Sequence, residues 1–143
     1  MKVCFFGCGN IAQSIIDGIL KNGVQSEKIF CIERNPKRVQ FLKEKNFKVL
    51  ELEDLSSKNF DLIFLAVKPK DALEAEKSIF KHAPNAKILT TVAGIALDKY
   101  SKPNSVIRSM PNTACAIGKG ITALYGYDLE SREFQLSHQL FNK

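Results

Sequence analysis

No apolar run in these 143 residues approaches the roughly 18–20 needed to cross a bilayer. The first run, Val3 to Phe6, is too short for a secretory core, and no small-residue cleavage site follows it. A cysteine pattern is lacking: Cys4, Cys8, Cys31 and Cys115 make no CxxC pair and no disulfide framework. The only histidines, His82 and His138, stand near no cysteine. Zinc sites normally need four ligands at recognisable spacing, so no structural metal is expected and the thiols read as small buried hydrophobes. No internal repeat, low-complexity tract or linker breaks the chain. There is no RNP-type aromatic cluster and no helix-turn-helix signal, and the lysines interleave with acids. A nucleic-acid partner is therefore not expected, nor a membrane partner, and the expected location is the cytoplasm.

What is present is ordinary for a soluble globular chain: 45% hydrophobic and 25% charged residues. The length suits one domain and buries roughly two-thirds of the unfolded surface. The net charge of +6 is uneven. Residues 1–50 carry nine Lys/Arg against four Asp/Glu, so the basic excess lies in the first third and points to an anionic ligand or to a solvated helix face.

Short apolar runs alternate with amphipathic stretches. Residues 3–6, 29–32, 60–67, 87–93, 106–110 and 121–125 read as strands, with a weaker one at 47–50. Several are apolar at successive positions, which suits strands covered on both faces. Residues 10–22 carry Ile11, Ile15 and Ile19 on one stripe, and Gly23 suits the C-cap. Asn35-Pro36 pairs a capping side chain with a first-turn proline; Pro69 opens another helix, and Asp128 or Ser131 caps a last one. The expected fold is α/β: a Rossmann-type doubly wound, mostly parallel sheet with helices on both faces, with residues 1–143 forming one dinucleotide-binding domain.

Gly7-Cys8-Gly9-Asn10-Ile11-Ala12 is a G-x-G-x-x-A loop that follows a strand and opens a helix. Gly7 permits the tight turn, Gly9 lets backbone approach a pyrophosphate, and Ala12 keeps the helix close to the strand. Helix-start amides are unsatisfied donors at the positive end of a dipole. Glu33 follows Ala12 by 21 residues, where the ribose-reading residue of such folds stands. A carboxylate there accepts ribose hydroxyls of NADH. Yet Arg34 adjoins it, Asn35 caps the next helix and Arg38 lies one turn on, and guanidinium groups suit a 2′-phosphate. Two arginines against one acid favour NADPH, with NADH the alternative.

Two further stretches end strands: Ala66-Val67-Lys68-Pro69 and Arg108-Ser109-Met110-Pro111-Asn112-Thr113. With the order F-x-G-x-G-N-I-A, L-A-V-K-P, V-A-G-I, R-S-M-P-N-T-A and G-K-G-I-T-A-L-Y, the chain resembles pyrroline-5-carboxylate reductases over about residues 3–141. The MPN segment and the trailing G-x-G-x-T-A-L are far more specific than the glycine loop. Other members of the 6-phosphogluconate dehydrogenase-like superfamily share the first motif without this combination.

The resemblance implies an oxidoreductase that reduces the C=N bond of 1-pyrroline-5-carboxylate to L-proline with NADPH or NADH. It implies that Gly7, Cys8, Gly9, Asn10, Ile11 and Ala12 hold the pyrophosphate. It puts Ala66, Val67, Lys68 and Pro69 along the ribose and nicotinamide, and Ala93 and Gly94 beside the nicotinamide. Met110, Pro111 and Asn112 would then shape the floor where substrate meets the ring. No catalytic residue is assigned. Lys68 reads as a general acid, an electrostatic anchor or a solvent-facing lysine, and Asn112 as a ligand-contacting or a turn-stabilising amide. The family's polar, uncharged adenosine contact before the fourth strand has no match in Glu51-Leu52-Glu53-Asp54. Family members are also nearly twice as long. Their helical second half dimerises and supplies substrate contacts, so this chain is expected to bind cofactor yet be nearly inactive alone. The alternatives are a stand-alone NADP(H)-binding module and another oxidoreductase of the same superfamily.

Overall fold

The computed structural model describes residues 1–142. Seven strands form one sheet: β1 (Val3–Phe6), β2 (Ile29–Ile32), β3 (Lys48–Val49), β4 (Leu62–Leu65), β5 (Ile88–Thr90), β6 (Val106–Pro111) and β7 (Thr122–Tyr125). Their order is β3-β2-β1-β4-β5-β6-β7. All neighbours are parallel except β6 and β7. Four helices cover the sheet: α1 (Asn10–Lys21), α2 (Pro36–Glu44), α3 (Ala72–His82) and α4 (Arg132–Phe141). This is the expected doubly wound architecture, and no helix among the described residues is long and apolar enough to cross a membrane.

The successive apolar positions have a direct explanation. Val3 and Phe5 join one core with α1, Leu42 of α2 and Leu140 of α4, and Cys4 between them joins the other core, under α3. Strand β4 does the same, sending Leu62 and Phe64 one way and Ile63 and Leu65 the other. The rings of Phe5 and Phe64 stack with centroids 4.3 Å apart, which locks the central pair of strands. All four cysteines are free and buried.

The helix punctuation matches the residues. Asn35 accepts from the amides of Lys37 and Arg38 at 3.0 and 3.3 Å, and Pro36 fills the first turn of α2. At the end of α1, Gly23 adopts φ +89° and the amide of Val24 donates back to Ile19. Of the two candidate caps for α4, Ser131 does the capping: its hydroxyl accepts from the Phe134 amide at 3.2 Å.

Two expectations need correction. Pro69 opens a single 3₁₀ turn (Pro69–Asp71), and the α-helix begins only at Ala72. The strands expected at 60–67 and 87–93 are shorter: residues 60, 61 and 87 precede the ladder at the amino edge, and residues 66, 67 and 91–93 belong to the loops at the carboxyl edge. The last strand, β7, is the antiparallel member of the mostly parallel sheet. The connection from β6 to β7 holds only the 3₁₀ turn Thr113–Ile117, and a parallel return needs a crossover of a dozen or more residues. That turn presses on α1 at Gly18, where any Cβ would lie 2.4 Å from the Cys115 carbonyl oxygen.

Candidate functional site

Parallel pairing places the ends of β1, β2, β4, β5 and β6 along one edge of the sheet. The sequence motifs therefore converge there: the glycine loop, Glu33-Arg34-Asn35, Ala66 to Pro69, Ala93-Gly94, and Met110-Pro111-Asn112. Because β1 has β2 on one side and β4 on the other, the chain reverses its winding at β1, which is where open α/β sheets form a crevice.

The two glycines of the loop have different constraints. Gly7 sits at φ +88°, and a Cβ there would lie 2.7 Å from the Ala66 carbonyl oxygen and 2.9 Å from Val67 Cγ1. Its requirement comes from the neighbouring strand end, and its own amide donates to Ile32 at 3.0 Å. At Gly9 a Cβ would point into open space, with only Arg38 Nη2 at 4.0 Å. Nothing in the fold fills that place, so the backbone at Gly9 is open to close approach from outside. Gly9 is also the N-cap of α1, no side chain caps that helix, and its opening amides have no intrahelical acceptor.

Glu33 does work that its position in the sequence did not reveal. One carboxylate oxygen accepts from the Cys8 amide and the other from the Asn35 amide, each at 2.9 Å. The side chain is only 5% exposed, with Arg38 Nη1 3.9 Å away. It braces the glycine loop against the end of β2 rather than standing free for ribose hydroxyls. The Cys8 amide is thereby spoken for, so of the six loop residues it is Gly9, Asn10, Ile11 and Ala12 whose amides are left to face a ligand. The Cys8 thiol points inward; a hydrogen bond with the neighbouring Cys31 thiol, and then burial, push its pKa upward.

Arg34 lies 87% exposed and reaches across the mouth of the loop to Asp71, Nη2 to Oδ2 3.3 Å. Lys68 and Pro69 are exposed on the same rim, and so are Ala93 and Gly94. Asn112 is a turn-stabilising amide here: its Oδ1 accepts from the Ile121 amide at 3.3 Å, while its own amide donates to the Ile121 carbonyl. Met110 stands exposed beside it, and Pro111 is half-buried.

Sequence reasoning missed the supports beneath this edge. Thr90 Oγ1 accepts from the Val92 amide at 3.2 Å and lies 3.2 Å from the Tyr100 hydroxyl, while Ser109 donates to the Thr90 carbonyl at 3.2 Å. Burial pushes the Tyr100 hydroxyl above its ordinary pKa. Small hydroxyls closing the apolar runs of β5 and β6 were the available signal. Asp71 gave none, since an acid near a helix start is common.

Known proteins share this fold. The sequence is 35% identical over 129 residues to pyrroline-5-carboxylate reductase 2 of Bacillus subtilis, covering 85% of this chain and 46% of that protein. The structure superposes on the 1-pyrroline-5-carboxylate reductase of Streptococcus pyogenes with a TM-score of 0.74 at 26% identity, covering 99% of this chain and 55% of that one. The Plasmodium falciparum pyrroline carboxylate reductase, solved with NADP bound, shares the fold at a TM-score of 0.83 and 21% identity, covering 99% and 54%. The resemblance read from the motifs is thus found again in sequence and in fold. The chain spans about half the length of the curated relatives it matches. The profile of one family, described as NADP oxidoreductase, coenzyme F420-dependent, matches residues 2–94, well over half of the chain. With its glycine loop, strand order and carboxyl-edge crevice, this chain belongs to that NADP oxidoreductase family.

Proposed function

We propose that residues 1–143 form the dinucleotide-binding half of a pyrroline-5-carboxylate reductase, a cytoplasmic enzyme with 1-pyrroline-5-carboxylate as substrate and NADPH preferred over NADH. One observation carries the reading: the backbone at Gly9 is open where a Cβ would stand, beside uncapped helix amides and under the Arg38 guanidinium. That cradle fits a pyrophosphate, which needs close backbone approach and N–H donors. The amides of Gly9 to Ala12 would hold the phosphates. Arg34 and Arg38 would face the ribose end, and residues 66–69 and 93–94 the nicotinamide end. Met110 and Asn112 lie where a substrate would meet that ring. A bound reduced nicotinamide supplies a hydride, and the residues of this chain position it rather than exchange protons with substrate.

The relatives are about twice as long, and this reading assigns the substrate's carboxylate contacts and the homo-oligomer contacts to their second half. Titration of the 143-residue chain with NADPH and NADH, followed by nicotinamide fluorescence, tests it. The expected result is saturable binding of NADPH, weaker binding of NADH, and little or no turnover of 1-pyrroline-5-carboxylate. Absence of binding for both dinucleotides overturns the site; turnover at ordinary enzyme rates overturns the division of labour.

A further inference from the structure

Two guanidinium groups stand at the mouth of the glycine loop, and each has an acid. The two acids are not equivalent. Glu33 is buried and both of its oxygens hold backbone amides, so it cannot leave its place. Asp71 is about one-third exposed; its carboxylate caps no helix amide, and among the described residues its ion pair is with Arg34. Arg34 in turn is 87% exposed and uses a single Nη on Asp71, leaving most of its fork of donors free. The bridge joins the end of β2 to the turn after β4, and β1 lies between these strands, so it spans the loop that follows β1.

We infer that Asp71 is a specificity-determining residue: its carboxylate competes with the 2′-phosphate of NADPH for Arg34 and so limits the preference for NADPH over NADH. This rests on the cofactor site proposed above. A phosphate dianion outbids a carboxylate for a guanidinium through greater charge and more acceptor oxygens. The exposed pair is weak, so Arg34 transfers readily, yet releasing it lowers the net gain from the phosphate. NADH, with a hydroxyl at that position, draws no such transfer and is indifferent to Asp71.

A double-mutant cycle tests this, reading dissociation constants of NADPH and NADH by fluorescence titration of the 143-residue chain. Asp71→Asn keeps the shape and removes the charge. It is expected to tighten NADPH about twofold to fivefold, the range of an exposed ion pair, and to leave NADH unchanged. Arg34→Ala is expected to weaken NADPH selectively. In the Arg34→Ala background, Asp71→Asn is expected to change neither constant. Tightening of NADPH that persists without Arg34 overturns the inference, because Asp71 then acts by direct repulsion. So does equal tightening of both dinucleotides, or no effect on either. Failure of the unmodified chain to bind any dinucleotide is a separate outcome, which removes the cofactor site itself and this inference with it.

Discussion

The amide of Cys8 donates a hydrogen bond of 2.9 Å to the carboxylate of Glu33, 25 residues further along the chain. The same carboxylate takes the Asn35 amide, so one nearly buried side chain ties the glycine loop to the start of α2. The acid expected to read ribose is thus part of the scaffold of the loop. Glu33→Gln retains one acceptor oxygen and turns an NH2 group toward a backbone N–H. It is expected to lower unfolding stability by about 1–2 kcal/mol, measured by urea denaturation. An unchanged midpoint would show that the brace contributes nothing.

The two loop glycines are expected to separate folding from binding. Gly7→Ala forces a Cβ against Ala66 at φ +88° and is expected to cost about 2 kcal/mol or more of stability. Gly9→Ala meets only open space and is expected to cost less than about 1 kcal/mol. It is also expected to weaken NADPH at least about tenfold, or about 1.4 kcal/mol. Urea unfolding and fluorescence titration of both variants read the contrast. Similar binding by Gly9→Ala and the unmodified chain would remove the cradle.

At the opposite edge of the sheet, Asp61 accepts from the Lys2 amide and from Arg132, each at 2.7 Å. These contacts, led by the Lys2 amide, hold its pKa below the ordinary 3.8. A depressed carboxylate pKa adds stability that is present above the ordinary value and is lost as the pH falls through the folded one. Asp61→Asn is therefore expected to be less stable by about 1 kcal/mol at pH 7, given a partly exposed, charge-assisted pair. The gap from the unmodified chain is expected to close below about pH 4. Urea midpoints measured across pH 2–7 check this; a gap that persists at pH 2 assigns the loss to packing.

Glu76 is fully buried on α3, and one of its oxygens accepts from the Ser101 amide, the Ser101 hydroxyl and the Lys102 amide. It fastens the segment that carries Tyr100 beneath the edge loops. Glu76→Ala removes three part-buried hydrogen bonds to one charged oxygen and is expected to cost about 2–3 kcal/mol, read from the thermal or urea transition. A loss below about 0.5 kcal/mol, typical of surface positions, would show that the segment holds itself.

Local signals determined much of this protein. The apolar runs, the Asn35-Pro36 start, the Gly23 stop and the G-x-G-x-x-A loop each depend on residues within one or two turns of each other. Their physics is written in short stretches of chain, and so the strand–helix alternation and the glycine loop were legible. The order of motifs was specific enough to carry the family resemblance. Contacts between distant residues were decided only by the tertiary structure. The parallel sheet brought Glu33 to Cys8 and Arg34 to Asp71, and it gave Gly7 its need for glycine through Ala66, 59 positions away. It also turned Asn112 toward Ile121 and laid β7 antiparallel, because the Thr113–Ile117 connection is too short to cross over. A carboxylate or an amide carries the same label in any sequence. Which partner occupies it, and hence whether it braces the loop or is left for a ligand, depends on which strand ends the sheet sets side by side.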